Sequence, residues 1–395
     1  MAILLLPGYA PANELRFDIG ALSEDYFGRQ ESTGPIRFNG GALSVMGQLG
    51  RLDYGLALAI PQERPRDPLP FFDLSLPLGT DWRLGAGKVA RHWSPSPHTS
   101  LILSRNGEAI PSLYLRKVAA TRSQVAPLRW IGPWRGEVFL GRTDDSRAGE
   151  DALMIGMQLA LAPTPNLEIE LVRTVQLAGD GQPSGLGPIT DALLGQTNEG
   201  AASGANQMAG LGLSYRLARA PGRPRLYAQV VGEDEAGGLP NCLITLAGLE
   251  TEMALLGTRT EISLEAVDTR VDETENGFCG PNTAYNNDTY AYTNGGRVMG
   301  AAIDSEGRSA ILRVRHERAD WALHWSLGRY EINAASDPDH RLSTSRVTGT
   351  LASIGLGVEM FGGRLETVVV DQGFALDAAN LSEGLHLGLG FSRQF

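Results

Sequence analysis

Leu385 to Phe395 read Leu-His-Leu-Gly-Leu-Gly-Phe-Ser-Arg-Gln-Phe. In a β-strand, the odd-numbered leucines and phenylalanines of this stretch fall on one face, and the small or polar even-numbered residues fall on the other. The stretch therefore predicts a strand with one apolar face and one polar face, ending on an aromatic residue.

The final phenylalanine, placed directly after the strand, resembles the closing strand of bacterial outer-membrane β-barrels. Arg393 stands where an apolar residue is usual, but a long arginine at a membrane rim can extend its charge into the headgroups. The opposite face carries His386, Gly388 and Ser392, which would leave room in a barrel lumen for a plug.

Composition narrows the classes of protein. The chain has 395 residues, is 42% hydrophobic and 20% charged, and contains 49 glycines. It has no run of about 20 apolar residues, so helical membrane spans are not expected. The net charge of −11 argues against nucleic-acid binding, which needs a basic surface.

The amino-terminal region is expected to precede the barrel. Pro11 to Phe27 is predicted to be a short helix, with Asn13 as N-cap and Leu15, Ile19 and Leu22 at helical spacing. We expect residues 1–40 to be a periplasmic or plug segment, with 1–12 a possible remnant of a signal peptide. The transmembrane barrel is expected over residues 41–395.

From Ala42 onward the hydrophobic period is two. Charged residues occupy one face of several predicted strands, notably Glu168 and Glu170 in one, and Arg313 and Arg315 in another. Such charges are costly in a dry core, whereas a wet barrel lumen accepts them. The pattern predicts an all-β, antiparallel transmembrane barrel.

Chain reversals come in two sizes, which is typical of outer-membrane barrels. Short turns such as Ala220 to Arg223 alternate with long polar loops at about Gly179 to Gln207, Thr269 to Gly295 and Asn333 to Ser345. Counting strands between the reversals gives about eighteen, and an even number returns both ends to the periplasm. Phe395 would lie there, where barrel-assembly machinery would meet it.

Signatures of enzymes and metal sites are scarce. The sequence has no nucleophile elbow, phosphate loop or zinc-type cysteine spacing, so neither a cofactor nor a metal is predicted. His92 and His98 flank Ser94 in a proline-rich segment that could hold a base beside a serine, although a structured loop is the simpler interpretation. Cys242 and Cys279 are compatible with one disulfide or with two thiols.

Two loops carry candidate ligand-binding residues. Glu233, Asp234 and Glu235 form an acidic cluster that could accept hydrogen bonds from sugar hydroxyls, bind a divalent cation or simply solvate a loop. The loop near residue 290 combines tyrosine rings, which suit the C–H faces of sugars, with polar groups that suit their hydroxyls. Its candidates are Tyr285, Asn286, Asn287, Tyr290, Tyr292 and Arg297.

Several blocks of sequence, in order, resemble the Wzi family of capsule-assembly proteins, which are outer-membrane lectins of Gram-negative bacteria. The blocks read SLILSRN at 100–106, IPSL at 110–113, LRWIGPW at 128–134, PTPNLEI at 163–169, NQ at 206–207, YAQVVGEDEA at 227–236, AYNN at 284–287 and YTNGGRVMG at 292–300. The resemblance covers about residues 82–303.

The resemblance implies an eighteen-stranded barrel with a small periplasmic helical part and a lumen blocked by loops. It implies an outer-membrane protein that binds capsular or other surface polysaccharide and helps anchor or assemble it, without making or breaking a bond. We expect a monomer whose partners are this polysaccharide, outer-membrane lipids and the assembly machinery. The main alternative is a porin or polysaccharide export channel, and a third is a hydrolase that uses His92 or His98.

Overall fold

The fold is a closed barrel, seen in a computed structural model that describes residues 14–31, 36, 39–61, 68–144, 150–193, 204–236, 239–255, 257–275 and 277–395. An 18-stranded antiparallel sheet forms the wall. The predicted fold class and strand number are therefore confirmed.

The wall strands follow one another around the ring in chain order, and one small hairpin, β14–β15, lies apart from them. The strands are β1 (Glu14–Leu22), β2 (Gly40–Leu49), β3 (Leu52–Pro61), β4 (Phe71–Leu78), β5 (Trp82–Lys88), β6 (Pro111–Arg122), β7 (Pro133–Arg142), β8 (Leu153–Thr164), β9 (Leu167–Leu177), β10 (Asn206–Arg216), β11 (Arg225–Ala236), β12 (Leu239–Leu255), β13 (Thr258–Asp268), β14 (Thr293–Asn294), β15 (Arg297–Val298), β16 (Arg308–Glu317), β17 (Trp321–Ile332), β18 (Val347–Met360), β19 (Gly363–Gln372) and β20 (Gly384–Gln394).

The ring closes where β1 pairs with both β2 and β20. The helix predicted over Pro11 to Phe27 is wrong, since most of that segment is strand β1. Phe17 broke the helical stripe, but it shares the outward face of the strand with Leu15 and Ile19. The wall thus includes part of residues 1–40, whereas the sequence predicts that all of them precede the barrel. Residues 1–12 lie outside the described residues.

The two faces of the wall differ as the alternation predicts. Leu385, Leu387 and Leu389 of β20 point outward and are 64%, 51% and 50% exposed, whereas His386 between them is 2% exposed. Outward leucines recur on other strands, for example Leu264 and Leu327, and make an apolar belt suited to lipid. Charged side chains such as Glu170 are turned inward and buried.

The connections at the two ends of the barrel differ in length. One end has tight reversals such as Leu49 to Leu52 and Met360 to Gly363, and it also holds Phe395, whose N–H donates to the Leu15 carbonyl at 2.8 Å. The other end carries the long loops, so we assign it to the cell exterior.

Short helices occur in some of the connections. Helix α1 spans Leu186–Leu193, and 3₁₀ turns span Arg29–Glu31 and Ala126–Ile131. In the described part of the chain, no helix has the length and apolar character needed to cross a membrane.

Candidate functional site

Two long loops fill the lumen and bring the candidate residues together. We call residues 89–110, between β5 and β6, the first plug loop, and residues 269–307, between β13 and β16, the second plug loop. Fully buried apolar side chains from both loops, such as Leu101, Ile102 and Met299, belong to one hydrophobic cluster with inward side chains of the wall. The lumen is therefore packed.

The first plug loop is anchored on an inward carboxylate of β13. Glu265 is fully buried, and it accepts hydrogen bonds from Thr99 Oγ1 at 2.7 Å, from Tyr227 OH at 3.1 Å and from the Ser96 hydroxyl. The loop reaches toward the short-turn end, where Arg225 at the start of β11 donates to the Pro95 carbonyl at 2.8 Å. It therefore crosses most of the lumen.

The three candidate tyrosines belong to the second plug loop and are buried, whereas we expected them on an open loop. Tyr285, Tyr290 and Tyr292 are 0%, 2% and 1% exposed. Their hydroxyls lie 2.8 Å from the Leu101 carbonyl, 2.8 Å from the Ala178 carbonyl and 2.9 Å from Thr174 Oγ1, respectively. Burial raises the pKa of Tyr290 to about 12 and raises the pKa of the other two as well.

These tyrosines stabilise the packing of the second plug loop against the wall. The rings of Tyr285 and Tyr292 stack with centroids 5.8 Å apart. A tyrosine-rich segment gives the same sequence signal whether its rings face water or a packed lumen. Direct contact of these rings with sugar stays a prediction, and it would require the loop to open.

The acidic candidates, Glu233, Asp234 and Glu235, lie at the outer end of strand β11. Glu233 is 5% exposed, and its Oε2 accepts the Tyr285 N–H at 3.0 Å, so the structure brings this carboxylate to the tyrosines. Asp234 and Glu235 continue the strand opposite Asn241 and Pro240 of β12. The side chains of Asp234 and Glu235 lie outside what the structure describes.

The remaining candidates are half-buried near the outer end of the barrel. Asn287 Oδ1 accepts the N–H groups of Thr289 at 2.9 Å and Tyr290 at 3.0 Å, and so shapes its own turn. Asn286 Oδ1 lies 3.4 Å from Arg341 Nη1. Arg297 Nη2 lies 3.9 Å from Asp25 Oδ2.

Arg297 belongs to a junction of four loops that no sequence motif indicates. The outer loop junction, as we call it, consists of Asp25, Glu108, Asp144, Asn294 and Arg297. Asp144 is exposed, and the side chains of Arg297, Glu108 and Asp25 are 32%, 29% and 26% exposed. The junction therefore presents carboxylates and a guanidinium to the solvent.

Hydrogen bonds fix the geometry of this junction. Asp144 Oδ1 accepts the Gly295 N–H at 2.7 Å, and Asn294 Nδ2 donates to the Glu108 carbonyl at 3.1 Å. Lys88 Nζ lies 3.1 Å from Glu108 Oε2. Only the Asn-Gly-Gly turn before Arg297 was visible in the sequence, because Glu108 and Asp144 come from loops without a pattern.

Among the described residues, neither candidate histidine has a hydrogen bond to Ser94, the serine between them in the sequence. His92 Nε2 lies 2.7 Å from the Ser96 carbonyl, and its Nδ1 has no hydrogen-bond partner among these residues. His98 Nε2 lies 3.0 Å from Ser263 Oγ. Burial, aided by the charge of Arg105, lowers the pKa of both rings, that of His92 to about 4.

The two cysteines form a disulfide that joins Cys242 of β12 to Cys279 of the second plug loop. Within the described ranges, no three histidine, cysteine or acidic side chains converge as a metal site would require.

Comparison with known proteins shows that more than half of the chain matches one protein family. Residues 78–322 match the family described as "Capsule assembly protein Wzi". A curated relative, a 55.8 kDa uncharacterised protein in the cps region of Klebsiella pneumoniae, is 29% identical over 191 residues, which is 48% of this chain. The match spans only 38% of that relative's length.

Solved structures show the same fold. Wzi of Escherichia coli, described as a carbohydrate-binding β-barrel involved in group 1 capsule assembly, superposes with a TM-score of 0.76 at 19% identity, covering 97% of this chain and 84% of that one. OprD of Pseudomonas aeruginosa gives 0.53 at 11% identity, covering 97% and 94%. At these identities the likeness concerns architecture.

Proposed function

The chain belongs to the Wzi family of capsule assembly proteins, and from this premise we propose that it is an outer-membrane barrel that binds capsular or another surface polysaccharide through its extracellular loops. In this role it helps to anchor or assemble the polysaccharide at the cell surface. It acts as a monomer and makes or breaks no covalent bond. Its further partners are the lipids around it and the barrel-assembly machinery.

The observation that carries this proposal is the packed lumen beneath a polar loop surface. A transport channel needs an open path, but both plug loops cross the interior and share its hydrophobic cluster. The plug also gives the loop surface a rigid support, and rigid sites bind with less entropic cost. Recognition at the exterior therefore fits the geometry better than conduction.

The outer loop junction is our choice for the contact surface. Asp144 and Glu108 supply acceptors for sugar hydroxyls, and Arg297 supplies donors, all of them already held by neighbouring loops. Asn286 and Asn287, two of the residues predicted from the sequence, lie on the same plug loop and are half-buried. Sugar binding from such contacts would be the sum of many weak hydrogen bonds.

The experiment is a pull-down of purified surface polysaccharide by the refolded barrel in detergent. We expect the double variant D144N/R297Q to lose most of the binding, because the most exposed carboxylate of the junction and its only arginine become neutral. The matched control is R318Q, which removes an exposed arginine from a periplasmic turn. Equal binding by wild type and D144N/R297Q would exclude the junction, and no binding by wild type to any surface polysaccharide would refute the proposed function.

A further inference from the structure

Three arginines lie on the outward face of the wall, just beyond the lipid-facing belt on the extracellular side. We call Arg308, Arg329 and Arg346 the arginine arc. Arg308 shares its strand face with Leu312 of β16, and Arg329 shares its face with Leu327 of β17, which is 52% exposed. Arg346 directly precedes β18. All three positions are exposed.

Carboxylates nearby neutralise only part of this charge. Asp268 is shared between Arg308, at 2.9 Å, and Arg270, at 3.0 Å. Glu331 pairs with Arg346 and lies opposite Arg308 in the β16–β17 register. Three guanidinium groups therefore share two carboxylates on this part of the rim, and Arg329 adds a fourth positive charge.

Arg329 is the least paired member of the arc. Its cross-strand neighbours are Ala310 and Thr350, which carry no charge. Among the described residues it has no ion pair or side-chain hydrogen bond with the protein. Glu331, which pairs with Arg346, lies two residues along the same face of β17, and Asp371 of β19 lies opposite Ala352 in the register. A guanidinium left in this position is available to an external anion.

We propose that the arginine arc binds the phosphate groups of a phosphorylated glycolipid in the outer leaflet of the membrane. Guanidinium groups bind phosphate oxygens through paired, charge-assisted hydrogen bonds, and several of them around one anion do so more strongly. The arc points sideways from the wall at the level where lipid headgroups lie. The belt leucines directly below it would contact the acyl chains of the same molecule.

This orientation separates the arc from the polysaccharide surface. The outer loop junction faces the exterior and combines acids with one arginine, whereas the arc adjoins the apolar belt and has an excess of positive charge. Inorganic phosphate shares the headgroup chemistry but lacks acyl chains. A lipid ligand is therefore expected to bind more tightly than the free ion.

The test measures binding of lipid A to the folded barrel in detergent micelles, in three arms: lipid A with both phosphates, dephosphorylated lipid A, and inorganic phosphate. We expect the phosphorylated lipid to bind at least about tenfold more tightly than either other ligand. The triple variant R308Q/R329Q/R346Q should lose this preference. The matched control R142Q removes an exposed outward arginine at the same rim on β7 and should keep it.

The single variant R329Q guards against misfolding, because removing an arginine without a protein partner leaves no carboxylate unpaired. It should weaken the binding of phosphorylated lipid A several-fold while the thermal unfolding of the barrel stays as in wild type. Unchanged affinity in R329Q and in the folded triple variant would overturn the proposal. Inorganic phosphate binding as tightly as lipid A would overturn the lipid assignment.

Discussion

At the scale of single residues, two adjacent glycines shape the outer loop junction. Gly295 and Gly296 both have positive φ, +64° and +70°, a conformation that is costly for other residues. A Cβ on Gly295 would lie 2.3 Å from Glu108 Cγ, whereas a Cβ on Gly296 would meet nothing within 4 Å. Replacing Gly295 by alanine therefore tests both the junction and the backbone strain, whereas replacing Gly296 by alanine tests the backbone strain alone.

We predict that G295A weakens polysaccharide binding clearly more than G296A. Both variants bear a similar strain of about 1–2 kcal/mol, but G295A must also displace Glu108 and disturb its ion pair with Lys88. Titration of the polysaccharide against both folded variants measures the difference. Equal losses would show that Glu108 does not contribute to binding.

Glu31 gives the protein a pH dependence. Burial, together with the charge of Glu265, raises its pKa from 4.5 to about 7, although Arg313 opposes the shift, and its Oε1 has no hydrogen-bond partner among the described residues. The folded state thus favours the protonated form. This stabilising contribution is complete below pH 4.5 and is lost as the pH rises through about 7.

Other carboxylates also titrate, so we compare the pH dependence of thermal stability in wild type with that in E31Q. Wild type should lose more thermal stability than E31Q between pH 5 and pH 8, since glutamine stays neutral throughout. Thermal unfolding of both proteins in the same detergent gives the comparison. Parallel pH profiles would mean that Glu31 is not protonated in the folded loop.

Residue types alone did not reveal these positions. Glu31 and Glu108 are ordinary loop acids in the sequence, and their roles depend on neighbours more than 100 residues away, such as Asn294. The tyrosines were recognised as a group, but their burial was not. Whether a polar loop covers a barrel or enters it depends on the volume of the lumen, which no local pattern encodes.

At the scale of elements, the strands were predictable and the plug loops were not. Period-two alternation identifies wall strands such as β9 and β20 because one face meets lipid and the other meets the interior. Strand β1 was wrongly predicted to be a helix because Leu15, Ile19 and Leu22 fit helical spacing. Leu15 and Ile19 fit the outward face of a strand equally well, whereas Leu22 does not. The first plug loop has no period, so its path through the lumen could not be inferred.

The disulfide links one of these loops to the wall. Cys242 lies near the outer end of β12, and Cys279 lies early in the second plug loop, 37 residues later. We predict that C242S/C279S lowers stability by about 2–4 kcal/mol and speeds hydrogen exchange at residues 277–285. Residues 93–99 of the first plug loop provide the internal control. Their exchange should change little, because Glu265 holds Ser96 and Thr99.

At the scale of the whole molecule, the packed lumen predicts a closed barrel. In planar bilayers we expect no steady conductance from wild type, because the two plug loops pack together in the interior. Replacing residues 94–104 by a short glycine linker should produce a measurable pore while the barrel stays folded. A steady open channel in wild type would instead favour the porin alternative.

The first plug loop also constrains the order of assembly. Its anchors are distributed around the ring, on Glu137 of β7, Gln229 of β11 and Glu265 of β13, while the ring itself closes at the pairing of β1 with β20. A loop with contacts on several sides cannot be threaded easily into a finished cylinder. The seam between the first and last strands is therefore expected to be the final step, so that the wall is wound around contents already in place and a defect in the plug delays closure.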